Sequence, residues 1–199
     1  MPENRKIVLS FDDGPSPIGA LNTILTVLQT NGIKAEFYVI GSDVERNPSA
    51  TRLISSRGHK VQNHSWSHPD LAKASEDKVR SELEKTQQII TEVTGMTPTK
   101  IRPPGGAGGW PKKFDPELAK VANSLSLSIH NWDIDTEDWK SPCGIGSAKI
   151  EMIKKQLDRK RRKPILNILM HVLPQTARDL PEFIKFLKES GFTFIIPMK

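Results

Sequence analysis

Short apolar runs rich in β-branched and aromatic residues recur along this chain, and residues able to bind a metal or move a proton follow most of them directly. Ile7–Phe11 runs into Asp12-Asp13-Gly14-Pro15, Phe37–Ile40 stops at Gly41, and Lys60–Gln62 leads to His64 and His68. Thr99–Ile101 precedes Arg102, Leu125–Trp132 precedes Asp133 and Asp135, Ile165–Met170 precedes His171, and Phe192–Ile196 comes last. Several of these runs are apolar without alternation, which predicts strands covered on both faces, as in a parallel sheet. Helical stripes lie between them: Ile18, Leu21, Ile24, Leu25 and Leu28, then Val79, Leu83, Thr86, Ile90 and Val93, then Leu180, Phe183, Ile184 and Leu187. The second stripe is one buried face of a long helix. Ser75 is placed to cap it, with Glu76 and Asp77 favoured in the first turn. Strands alternating with helices predict a parallel α/β domain. A chain of 199 residues is enough for one core but cramped for a full eight-unit barrel. The expectation is one domain over residues 1–199, an incomplete or distorted barrel with parallel strands.

Composition removes several classes of protein. The one cysteine, Cys143, excludes an internal disulfide framework and a multi-cysteine zinc site, and no motif around it marks a reactive thiol. No segment approaches the roughly 20 apolar residues of a membrane helix. The first apolar run ends at Asp12, too soon for an export-signal core. The expected place of action is the cell wall, the periplasm or the exterior if a leader has been trimmed, and the cytoplasm otherwise. Net charge is +6, and Lys149–Lys163, with eight basic residues and two acids, holds a surplus equal to that of the whole chain. Such a run attracts polyanions, but a solvated helix end with cations at its C-terminus is the weightier reading. No nucleic-acid motif accompanies it and no aromatic residues interleave with it, so no nucleic-acid partner is expected.

In α/β barrels, active sites are built at the C-terminal ends of the strands, where this chain concentrates its carboxylates and imidazoles. His64 and His68, four apart, can reach one cation if their segment is helical or tightly turned. With one carboxylate, such as Asp13, they would form a set that suits Zn²⁺ and also Co²⁺, Ni²⁺ or Fe²⁺. His59, ahead of a strand, reads as structural, and His130, within one, as a core or supporting residue.

Five motifs in order now resemble those of the polysaccharide deacetylases of carbohydrate esterase family 4, the group with the NodB homology domain. They are Ser10-Phe11-Asp12-Asp13-Gly14-Pro15, His64-Ser65-Trp66-Ser67-His68-Pro69, Arg102-Pro103-Pro104-Gly105, Asp135-Thr136-Glu137-Asp138-Trp139 and Leu169-Met170-His171. The resemblance implies a distorted (β/α)7-8 barrel with parallel strands, one divalent metal ion with Zn²⁺ first in line, and a polysaccharide or oligosaccharide substrate bearing N-acetyl groups. It makes Asp12 the general base, Asp13, His64 and His68 the metal ligands, and Arg102 the partner of Asp12. Gly105 would offer its N–H to the oxyanion, and Asp135 would pair with His171, the general acid. Trp139 and Leu169 would line the pocket for the acetyl methyl. Pro104 is a further candidate substrate contact, and so is Trp110 in the Gly-rich loop, because a sugar face stacks well on an exposed indole.

Three features depart from the family pattern. Gly105 stands where a larger, often aromatic residue is usual, Val172 stands where Asp often follows the fifth motif, and His130-Asn131 makes an unusual approach to the fourth. None removes a catalytic group. The expected activity is metal-dependent N-deacetylation of an amino-sugar polymer. An O-acetyl esterase on xylan or a similar polysaccharide is the alternative, and a silent carbohydrate-binding protein on the same scaffold comes third.

Overall fold

The computed structural model describes residues 5–111, 113–140 and 144–196. Cys143 lies outside them. In chain order the elements are β1 (Lys6–Gly14), α1 (Ile18–Thr30), β2 (Glu36–Val39), α2 (Gly41–Arg46), α3 (Pro48–Ser56), β3 (Lys60–Asn63), α4 (Glu76–Thr94), β4 (Lys100–Ile101), β5 (Gly109–Trp110) and β6 (Lys113–Phe114). Then follow α5 (Pro116–Ser124), β7 (Ser128–Ile129), β8 (Ile134–Asp135), α6 (Ser147–Arg159), β9 (Ile165–His171), α7 (Pro174–Glu189) and β10 (Thr193–Phe194). Two compact units share these elements. One holds the chain up to Asp12, Ser16–Glu36 and the part from Trp132 onward, and the other holds Asp13–Pro15 and Phe37–Asn131.

In the first unit β1 lies between β9 and β10, and β8 continues beyond β9, all parallel. Residues Ile7–Phe11 of β1 and Leu166–Met170 of β9 are buried throughout, as strands covered on both faces must be. Helices α1 and α7 lie side by side, and each buries an apolar stripe. Each fully buried Leu, Ile or Phe in them contributes about 1.5–3 kcal/mol. Register sets Asp12 beside His171 at the end of the β1–β9 ladder.

In the second unit the strand order is β2-β3-β4-β7, with β3–β4 and β4–β7 parallel. Helix α4 begins at Ser75, whose side chain accepts the Lys78 N–H, and ends at Gly95 with φ of 71°. Its stripe of Val79, Leu83, Thr86, Ile90 and Val93 is buried as expected, and so is one acid, Glu82. Together the two units carry eight strands in parallel-type sheets and seven helices among the described residues, the α/β complement the alternation demanded.

The sequence reading erred over Leu125–Trp132. Leu125 ends α5, Ser126 turns back with φ of 58°, and only Ser128–Ile129 are extended. Ile134–Asp135 is a separate strand, so Asp133 precedes a strand rather than ending one. Its carboxylate accepts the Asn167 N–H and the Lys163 ammonium, both structural bonds. Gly109–Trp110 pairs with Lys113–Phe114 in a short hairpin.

Candidate active site

Asp13, His64 and His68 form the first cluster. Asp13 is in the left-handed region with φ of 65°, immediately after the buried Asp12. His64 follows β3, and the segment to His68 is a tight non-helical turn, with Ser65 at φ 64° and His68 at φ 60°. Asn63 shapes its entry: its Oδ1 accepts the Ser65 N–H at 2.9 Å while its amide donates to Leu83 O at 2.9 Å. The Ser65 hydroxyl accepts the His68 N–H at 3.2 Å. His64 Nε2 lies 3.4 Å and His68 Nε2 3.3 Å from Asp13 Oδ1. All three ligand atoms lie within 4.8 Å of one another, the one such group among the described residues.

A cation fits these three donors. Bonds of about 2.0–2.1 Å to imidazole and carboxylate in tetrahedral geometry imply ligand–ligand edges of about 3.3–3.4 Å, which both Asp13–imidazole distances match. His64 Nδ1 lies 2.7 Å from Arg102 O, and a carbonyl can only accept, so Nδ1 carries the proton and Nε2 keeps its lone pair for a metal. His64 is buried, whereas the side chains of Asp13 and His68 are 38% and 41% exposed, which leaves one side of the triangle open.

Arg102 is fully buried in the same unit, its guanidinium 4.0 Å above the Tyr38 ring and its Nε donating to His130 O at 3.1 Å. His130 thus supports Arg102 through its backbone. His59 is buried edge-on to Phe37, in the structural place expected. Pro104 is buried at the start of a 3-10 turn, while Trp110 on the hairpin is 41% exposed.

The second cluster belongs to the other unit. Asp12, only 3% exposed, and His171 are neighbours in register, and the Val172 N–H donates to Asp12 O at 3.0 Å. The carboxylate on the His171 ring is Asp138, not Asp135. Asp138 Oδ1 lies 2.8 Å from His171 Nδ1, and its Oδ2 accepts the His171 N–H at 2.8 Å and the Thr176 hydroxyl. The turn explains the exchange. Thr136 pins its side chain to Leu169 O, Glu137 reverses the backbone at φ 51°, and Asp138 rather than Asp135 enters the interior. Asp135 holds the turn, its Oδ1 accepting the Glu137 N–H at 2.8 Å. Burial pushes its carboxyl above the ordinary carboxylate range, against the opposing pull of that N–H.

Lys149 also belongs to this turn rather than to a solvated basic face. It is buried, and its ammonium donates to Glu137 O and, at 3.0 Å, to Lys140 O. Leu169 is buried and Trp139 is 52% exposed.

The sequence profile of the polysaccharide deacetylase family matches residues 1–129. The chain belongs to that family. The peptidoglycan-N-acetylglucosamine deacetylase PgdA of Listeria monocytogenes is 37% identical over 96% of this chain, which spans 38% of the length of that protein. A family 4 carbohydrate esterase from Streptomyces lividans, solved with acetate, is 30% identical, with a TM-score of 0.81 over 97% of this chain and 93% of its own. A pseudoenzyme of the same family from Bacillus anthracis is 28% identical, with a TM-score of 0.78 over 98% of this chain and 64% of its own.

Within this deacetylase family, Gly105 is the departure with the clearest geometry. It is exposed with φ of 61°, and a Cβ there would meet nothing within 4 Å. Val172 is fully buried and is joined to β1 through its N–H. Sequence reasoning did not single out Asp138, Thr176, Asn63 or Glu82. For Glu82 a signal existed, since an acid one residue before Leu83 falls on the apolar side of α4.

Proposed function

We propose that this polysaccharide deacetylase hydrolyses N-acetyl groups of an amino-sugar polymer or oligomer of the peptidoglycan or chitin type and releases acetate. It would do so with one divalent cation, Zn²⁺ first, on Asp13, His64 and His68. The observation that carries this reading is the donor triangle, with both Asp13–imidazole edges of tetrahedral length and a lone pair fixed on His64 Nε2. A cation bound there supplies Lewis acidity toward the acetyl carbonyl and the attacking water.

The protein's own groups do the rest. Asp12 takes the proton of the attacking water. The Gly105 N–H donates to the oxyanion, an interaction commonly worth about 3–4 kcal/mol. An amine leaves only when protonated, and His171 delivers that proton from Nε2 because Asp138 holds Nδ1. The Asp138 anion stabilises the imidazolium. Leu169 and Trp139 border the acetyl methyl, while Pro104 and the exposed Trp110 offer sugar contacts, since an indole face stacks on a sugar ring.

The likeness to the Streptomyces lividans esterase favours a second reading, O-acetyl ester hydrolysis with the same groups. Acetate release and mass loss should be followed on chitin oligomers, peptidoglycan fragments and acetylated xylan. Loss of acetyl from the amino sugars supports the proposal. Loss from xylan alone replaces it with the esterase, and no release from any substrate by the Zn²⁺-loaded protein leaves a silent carbohydrate-binding scaffold.

A further inference from the structure

Four hydrogen bonds converge on one buried carboxylate beside the His64–His68 turn. Glu82 projects from α4 with its side chain 2% exposed. Its Oε2 accepts the N–H groups of Trp66 and Ser67 at 2.8 and 2.7 Å, and its Oε1 accepts the Ser67 hydroxyl at 2.8 Å and the Lys78 ammonium at 2.7 Å. Trp66 and Ser67 are the middle of the segment that carries both imidazoles. That segment is not helical, so those two amide protons have no carbonyl of a helix to bond. An anion held behind the turn meets their need, and bonds of this charged kind are about twice as strong as neutral ones.

We infer that Glu82 is the positioning residue that holds the His64–His68 turn in its cation-binding shape. It touches neither substrate nor cation. It fixes the backbone from which both imidazoles project, with Asn63 fixing the entry to the same turn. A glutamine at this position keeps the volume, but its NH₂ cannot accept, so the bonds made by one of the two oxygens are lost. The turn then relaxes, and the two Nε2 atoms no longer meet Asp13 at tetrahedral edge lengths. Lys78 is different: it reaches Glu82 from solvent, half exposed, and bonds nothing in the turn.

This inference rests on the proposed cation site, and Zn²⁺ titration calorimetry on the whole chain separates the two. If the wild-type protein binds no Zn²⁺, the cation reading itself fails. If it binds, Glu82→Gln should weaken Zn²⁺ about 10- to 100-fold, the usual cost of losing a group that orients metal ligands. Saturating Zn²⁺ should recover most of the lost turnover, while Lys78→Met should bind Zn²⁺ as the wild type does. Ser67→Ala removes one bond at an exposed position, so it should fold and lose Zn²⁺ affinity by a smaller factor in the same direction, and it decides the matter alone if Glu82→Gln does not fold. Circular dichroism and metal-free thermal unfolding distinguish a loosened turn from a collapsed fold. Zn²⁺ affinity within about twofold of wild type in folded Glu82→Gln, or in Ser67→Ala where that variant alone decides, overturns the inference.

Discussion

His171 Nδ1 and Asp138 Oδ1 are 2.8 Å apart, and the second oxygen of the same carboxylate accepts the His171 backbone N–H. One buried side chain therefore fixes the tautomer, the ring plane and the strand end together. An anion at Nδ1 stabilises the imidazolium, so its removal should bring loss of the proton to lower pH. Asp138→Asn is expected to move the alkaline limb of the pH–rate profile down and to lower turnover about 100-fold or more, the range for a displaced general acid. Asp135→Asn should move that limb far less. Profiles of kcat/KM on a chitin oligomer for both variants check this, and a larger shift in Asp135→Asn than in Asp138→Asn would return the pairing to Asp135.

Asp135 carries a second consequence. Burial raises its pKa above the ordinary aspartate value, so the folded state holds this proton more tightly than the unfolded state does. The stabilisation that results is fully present below the unfolded pKa and is lost as pH rises through the folded one. Asparagine keeps an acceptor for the Glu137 N–H and has no charge to bury. Asp135→Asn should therefore raise the midpoint of thermal unfolding near about pH 7 and make little difference near about pH 3. A lowered midpoint at the higher pH would show that the ionised carboxylate stabilises the turn.

Much of this was legible in the residues. Buried β1 and β9 announce themselves as unbroken apolar runs, and α4 shows its face through steps of four and three, because burial imposes those periods directly. Strand ends carrying Asp12, Asp13, His64, His68 and His171 were equally plain. What escaped notice depended on backbone reversals. Nothing in Asp135-Thr136-Glu137-Asp138 says that Glu137 takes a positive φ, and that turn decides which of two aspartates faces the imidazole. The same holds for Ser126, which cut a run that looked like one strand into a helix end and two extended residues. Lys149 looked like surface because its neighbours in sequence are, yet its ammonium is spent on carbonyls of the turn before α6.

The basic run should accordingly divide in two. Arg159, Lys160, Arg161 and Arg162 are exposed, and reversing several of their charges should slow turnover of an anionic polymer at low salt while sparing short neutral oligomers. Lys149→Met should do the opposite. It frees two carbonyls beside Asp138 and Trp139, so turnover should fall on both substrates with no dependence on salt. Comparing the two variants over a salt series checks both halves.

Adjacent Asp12 and Asp13 should separate in a metal titration. Asp13 belongs to the donor triangle, whereas Asp12 is buried at the end of the β1–β9 ladder. Asp13→Asn is expected to lose Zn²⁺ affinity together with activity, and Asp12→Asn to lose activity and keep the ion. Prolonged chelation should silence the wild type, and Zn²⁺ or Co²⁺ should restore it. Equal Zn²⁺ affinity in the two variants, measured by calorimetry, would contradict the division of roles.

Gly105 offers a change that adds a group rather than removing one. Its φ of 61° lies where an L-residue costs about 1–2 kcal/mol, but the space a Cβ would enter is open. Gly105→Ala should therefore fold, lose about 1–2 kcal/mol of stability and keep its turnover, because the N–H proposed to meet the oxyanion stays on the backbone. Gly105→Tyr should suffer the same loss of stability and also supply the wall that this position usually provides in the family. Its ring, standing in open space beside buried Pro104, gives a sugar face something to pack against. KM for oligomers should fall several-fold, in line with burial of part of an aromatic ring, while kcat changes little. Steady-state kinetics on chitin oligomers of increasing length check this, with unfolding in urea reporting the stability of each variant. A kcat that collapses in Gly105→Ala with the fold intact would mean that the glycine's conformational freedom, rather than its N–H alone, is needed for turnover.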